Sequence, residues 1–148
     1  MKKIVLSTSL LVFSIFLSNC AKKSNDPNPA IKQNQITLLT AHDWKPTSSF
    51  ENNELLPVES CDIDDFATYF ADGTAILNEG QEKCDTLATQ TSSTTYFFSE
   101  DGKILHIKDP KLGYVIPYTI ITLTTTNMEL QFTNPFPVAK YNLLFIKK

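Results

Sequence analysis

Residues 114–133 read YVIPYTIITLTTTNMELQFT, and this stretch decides the fold class. Its second half alternates: Met128, Leu130 and Phe132 fall on one face while Glu129, Gln131 and Thr133 fall on the other. That period of two is the mark of a strand with one wet face. The first half, 114–123, is apolar on both faces and rich in β-branched and aromatic residues, the types that fit a pleated surface. Only a short turn around Thr125-Thr126-Asn127 joins the two halves. An antiparallel pair is therefore expected, because a parallel crossover needs a dozen or more residues. Pro117 cannot donate to a ladder, so the first strand must place it at an edge or a bulge.

The same signals recur outward in both directions. Residues 44–50 (WKPTSSF), 66–70 (FATYF), 74–78 (TAILN), 94–99 (TTYFFS), 103–108 (KILHIK) and 140–147 (KYNLLFIK) read as strands. Ala71-Asp72-Gly73, Glu100-Asp101-Gly102 and Lys111-Leu112-Gly113 stand between some of them as turns. Leu105 and Ile107 oppose His106 and Lys108, which puts His106 on the outside. About eight antiparallel strands in up-and-down order imply an all-β barrel, whose closure hides its edges and whose interior suits packed side chains or one small ligand. A two-sheet sandwich is the alternative. Ahead of the first strand, Asn34 can cap a two-turn helix whose apolar side is Ile36, Leu38, Leu39 and Ala41.

The N-terminus carries an address. Lys2 and Lys3 precede an apolar run, Ile4 to Leu17, that is too short to span a bilayer, which takes about 20 residues. Leu17-Ser18-Asn19-Cys20 resembles the lipobox of bacterial lipoproteins, with Asn19 in place of the usual Gly, Ala or Ser. The resemblance implies a signal peptide over 1–19 and acyl chains, palmitate among them, on Cys20. Residues 20–33 (CAKKSNDPNPAIKQ) are polar, proline-containing and aperiodic, as expected of a disordered tether. The folded domain then covers 34–148. Lys22 and Lys23 lie where anionic headgroups would meet them. An anchored protein of the cell envelope is expected, on the outer membrane, and because no acidic run resembling the surface-export signal of such bacterial lipoproteins follows Cys20, the resemblance implies that it faces the periplasm.

Charge and cysteine usage narrow the function. The chain has net charge −3, and cleavage removes Lys2 and Lys3 to leave −5, which disfavours nucleic acid as a partner. All thirteen basic residues are lysine, so no guanidinium fork exists to clamp carboxylate or phosphate. With Cys20 lipidated, Cys61 and Cys84 remain as an even pair in an oxidising compartment and are expected to bond. Neither belongs to a C-x-x-C pair, and His42 and His106 lie far from both in sequence, so no metal site is expected.

Several further features bear a resemblance to the lipocalin-like domains of small Bacteroidetes lipoproteins. They are Leu39 and Trp44 before the first strand, the run from Cys61 through Asp62, Asp64 and Asp65 to Phe66, Phe70-Ala71-Asp72-Gly73-Thr74, Cys84, Ser99-Glu100-Asp101-Gly102 and Tyr118-Thr119-Ile120. The resemblance covers most of 37–133 and implies a barrel of about eight strands whose interior takes a hydrophobic small molecule. The long polar interval from Asn78 to Ser93 and the stretch Asn134-Pro135-Phe136-Pro137 depart from it.

No catalytic chemistry is legible. G-x-S-x-G, H-E-x-x-H and a phosphate-binding glycine loop are all absent, with four glycines in the chain. Asp62, Asp64 and Asp65 lack the central glycine and distal glutamate of a calcium loop and read as solvated carboxylates bonding nearby amides. Trp44, the single tryptophan, reads as packing at the closed end. The chain is thus expected to be a non-enzymatic binding module without a cofactor. A small hydrophobic ligand would sit among Phe66, Phe70, Phe98, Leu130 and Phe132. The alternative is a filled barrel that meets another envelope protein through an exposed patch near Phe136.

Overall fold

A computed structural model describes residues 29–135 and 138–148. Helix α1 (Pro29–Leu39) is followed by β1 (Trp44–Glu51), β2 (Glu54–Leu56), a 3-10 turn at Ser60–Asp62, β3 (Phe66–Tyr69), β4 (Thr74–Asn78), β5 (Thr91–Phe98), β6 (Ile104–Lys108), β7 (Val115–Leu123), β8 (Asn127–Pro135) and β9 (Val138–Lys147). All pairings are antiparallel and run in the order β2-β1-β3-β4-β5-β6-β7-β8-β9, and β1 also pairs with β9. Eight strands therefore close into an up-and-down, lipocalin-like barrel, and β2 is an extra strand on the rim. The sandwich alternative is excluded by the β1–β9 ladder, which runs from Trp44↔Lys147 to Glu51↔Tyr141.

Alternation sets the inside. Met128, Leu130 and Phe132 face Phe145, Leu143 and Tyr141 across the β8–β9 ladder, and Leu105 faces Tyr118 across β6–β7. The buried core comprises Leu39, Trp44, Ala67, Tyr69, Ala75, Tyr96, Phe98, Leu105, Met128 and Leu130. Tyr69, Tyr96 and Phe98 meet edge-on, at 5.2 and 6.1 Å between ring centroids, the geometry their quadrupoles favour. Burial pushes the Tyr69 hydroxyl well above the ordinary tyrosine range and the Tyr118 hydroxyl up to about 12. On the outside, Gln131 donates to Asn142, which donates to Glu129, and His106 stacks on Phe97 with ring centroids 4.5 Å apart.

Helix α1 closes one end. Leu39 is buried and Ile36 packs on the core, while Ile31 lies against the β5–β6 turn, where a Cβ on Gly102 would come 3.1 Å from Ile31 Cγ2. The helix starts at Pro29, inside the segment expected to be tether, and stops at Leu39. Proline at a first helical position lacks only an N–H that would be unpaired anyway, so the start is stable without the Asn34 cap. Trp44 Nε1 donates to the carbonyl of Leu39 at 2.8 Å, satisfying one of the carbonyls a helix end leaves open.

Three local differences from the sequence reading have clear causes. Strand β2 exists because Asn52 and Asn53 both take positive φ, 51° and 72°, the two-residue hairpin turn that matches strand twist. Strand β5 begins at Thr91, inside the polar interval, since Ser and Thr side chains suffice where β4 alone pairs with it. Pro117 sits in the middle of β7, where β6 pairs on one side through Thr119 but β8 joins only from Thr119 onward. Its missing N–H thus falls on a locally free edge.

Candidate functional site

The end opposite α1 is a mouth bounded by the loops 79–90 and 109–114 and by the segment 57–65 that leads into β3. Strong stagger shapes it. Strands β1 and β3 share a single rung, Trp44↔Ala67, so the helix end of β1 meets the mouth end of β3. A cavity of about 400 Å³ opens there, lined by Trp44, Pro46, Ala67, Leu77 and Phe145, with Asp65, Glu79, Asp109 and Lys111 among its polar residues. Trp44, held on its far edge by Leu39, forms the floor. The volume falls in the range of small-molecule sites, roughly 300–1,000 Å³. The other half of the mouth is filled: Tyr141 stacks on Phe132 at 4.9 Å and donates to Glu51 Oε1 at 2.9 Å.

Two loops are pinned in place. Asp109 Oδ1 accepts from the amides of Lys111 and Leu112, which rigidifies the β6–β7 loop over the cavity. Cys61 and Cys84 lie at disulfide distance, with Cα atoms 5.1 Å apart, and tie the 3-10 turn to the 79–90 loop. Next to this tie Asp64 accepts from the amide of Gln81. Gly80 permits that approach: it has φ +55°, and a Cβ there would lie 2.2 Å from the Asp64 carboxylate.

Like Asp64, Asp65 has an Oδ1 that is out of reach of solvent and without a hydrogen-bond partner. Burial, reinforced by the negative charges of Asp62, Glu79 and Asp64, pushes its carboxyl up to about 6. The Asp62-Asp64-Asp65 set is therefore not simply a solvated group bonding local amides: Asp64 accepts from the distant amide of Gln81 through one oxygen and buries the other. Among the described residues the one group of side chains close enough to hold a metal together is Glu59, Cys61 and Cys84, and its two sulfurs are those at disulfide distance.

Of the five residues expected to line a ligand site, Phe98 and Leu130 share one buried cluster and the others are dispersed. Phe98 and Leu130 are buried in the core. Phe132 packs against Tyr118 and Tyr141. Phe70 follows the inward Tyr69, so alternation turns it outward, where it is 41 % exposed and borders a groove with Thr74 and Leu112. Phe66 alone lines the mouth cavity, its ring covered by Lys148 Nζ at 3.0 Å. Leu77, Pro46 and Asp65 were not foreseen as lining, because barrel stagger, which sequence periodicity does not encode, decides which inward residues share a level. Cys20 and Phe136 lie outside the described residues. Among the described residues no helix is long and apolar enough to cross a membrane. No family model matches the chain, and no curated protein matches its sequence.

Proposed function

We propose that the protein is a lipid-anchored lipoprotein of the cell envelope, lipocalin-like in kind, whose barrel mouth takes up a small, largely apolar ligand. The observation that carries the binding half is the cavity over Trp44: an apolar floor and walls, a few polar groups on one side, and loops pinned by Asp109 and by the cysteine pair. The anchoring half rests on the Leu17–Cys20 motif. The reading is non-enzymatic. Among the described residues that line the mouth cavity, Ser92 carries a hydroxyl and is accompanied by no histidine or cysteine.

Native mass spectrometry of the protein extracted from cells, beside a denatured sample, tests both halves. A reproducible mass lost on unfolding identifies a cargo, and a diacyl or triacyl increment on Cys20 that persists after unfolding identifies the anchor. A barrel that stays unliganded and fails to take up any of a panel of apolar probes overturns the binding half. The second reading, a surface that docks another envelope protein, draws support from Leu112, Tyr114 and Val115, which stand 66 %, 54 % and 45 % exposed in sequence proximity.

A further inference from the structure

The rim of the mouth is crossed by a strap that adds nothing to the core. Residues 57–65 run from β2 to β3, beside the wall where β1 and β3 share the single rung Trp44↔Ala67, and Asp65 at the end of the strap lines the mouth cavity. The 3-10 turn in its middle buries no residue. The neighbouring 79–90 loop is bonded mainly to itself. Glu79 donates to the Gln90 carbonyl at 3.0 Å at its base, Lys83 Nζ donates to the Ala88 carbonyl at 2.6 Å, and Asp85 Oδ1 accepts from the Leu87 amide at 2.9 Å. No residue of either segment belongs to the buried core. Among the described residues, hydrogen bonds and sulfur contacts tie loop to strap at two places: the amide of Gln81 donates to Asp64, and Cys84 meets Cys61 and Asp62.

The cysteine pair is within reach of a reagent, since Cys84 is exposed and Cys61 half-buried. Each sulfur also lies against a carboxylate: Asp62 Oδ1 is 3.1 Å from Cys84 Sγ, and Glu59 Oε2 is 3.8 Å from Cys61 Sγ. A disulfide offers these oxygens no proton, whereas a thiol is a weak S–H donor. The pair is therefore placed to be bonded when oxidised and to find an acceptor for each S–H when reduced.

We propose that the Cys61–Cys84 bond is a redox-sensitive latch on the mouth, holding the strap closed when formed and releasing strap and loop when a dithiol reduces it. This deepens the mouth-binding reading and rests on it. A thiolate of the dithiol attacks the exposed Cys84 sulfur, the bond to Cys61 breaks, and the Cys61 sulfur leaves and takes a proton. The second thiol of the reductant then displaces Cys84, which is protonated in turn. The two cysteines gain two electrons and two protons, and the dithiol becomes a disulfide. The barrel stays closed throughout, because the β1–β9 ladder and the core use neither segment. Reduction thus opens one locally weak unit and leaves the rest folded.

The test uses the full chain carrying Cys20→Ser, so that two sulfurs remain, in its oxidised form and after reduction with dithiothreitol. Amide hydrogen exchange read by mass spectrometry should accelerate roughly a hundredfold in 57–65 and 79–90, the factor expected when a loop of this length loses its closure. Strands β5 to β9 should keep their protection. The neutral apolar probe N-phenyl-1-naphthylamine, followed by stopped-flow fluorescence, should enter about tenfold faster after reduction, as when a conformational barrier to binding is removed. Cys61→Ser/Cys84→Ser should behave as the reduced form and ignore the reductant. Unchanged exchange in the two segments, equal rates of probe entry, or loss of protection throughout the barrel each overturns the latch while leaving mouth binding intact. If the probe enters neither form, the mouth-binding reading falls and the latch with it.

Discussion

Trp44 joins the two ends of the molecule through one side chain. Its ring is both core and cavity floor, and its N–H closes the C-terminal end of α1. Trp44→Phe keeps most of the packing and strands the Leu39 carbonyl; it should cost about 2 kcal/mol in a urea unfolding titration. Asp65 makes a second residue-level prediction. Its folded-state pKa, about 6, lies above the ordinary 3.8, so the folded protein holds this proton more tightly than the unfolded chain does. The group's contribution therefore becomes less favourable as pH rises from about 4 to about 6. Asp65→Asn should melt above the parent protein at pH 7.5 and at the same temperature as the parent at pH 3.5. Trp44 could be read as packing from its type and position. The burial of a single oxygen of Asp65 could not, because it depends on Glu79 and the 79–90 loop folding back from elsewhere in the sequence.

At the scale of elements, the 79–90 loop carries few apolar anchors, and Leu87 is 93 % exposed. Its tie to the 3-10 turn at Cys61–Cys84 spans 23 residues, and closing a loop of that length stabilises by about 3 kcal/mol in the chain-entropy picture. The double variant Cys61→Ala/Cys84→Ala should lose stability of that order. It should also become cleavable first between residues 79 and 90, which limited proteolysis with mass mapping would locate. Gly80→Ala should free the same loop by a different route, displacing the Asp64 carboxylate. The strands themselves were largely legible: Leu105 and Ile107 against His106, or Met128, Leu130 and Phe132 against Glu129 and Gln131, announce their faces by alternation. Strand β2 was not, because its three residues have no room to alternate. Its turn signal, Asn52-Asn53, was nonetheless present in the sequence. The start of α1 was obscured by Pro29 and the polar residues after it, which resemble linker until Leu39 is seen to bury.

For the whole molecule, the closing ladder is decisive. Strand β9 pairs with β8 along its whole length and with β1 over seven rungs, so removing it would leave both neighbours as bare edges. A chain ending at Pro135 should populate no closed monomer and should form soluble or insoluble oligomers, as judged by size-exclusion chromatography with light scattering. The strand count and the short turns implied a barrel but left a two-sheet sandwich open until the β1–β9 ladder decided it, and the cavity arises from the offset between β1 and β3. That offset leaves one shared rung where a fully paired wall would have several.

The placement of α1 across the end opposite the mouth puts the start of the described chain at the far end from the opening. The described chain enters the barrel at that closed cap, so a surface holding the protein by its N-terminus would meet the cap first. The opening would then point away from that surface, like a cup standing on its base. On the anchored, ligand-binding reading we propose, cargo would be exchanged with the surrounding aqueous space, and a ligand drawn from the supporting bilayer would have to leave it before being captured.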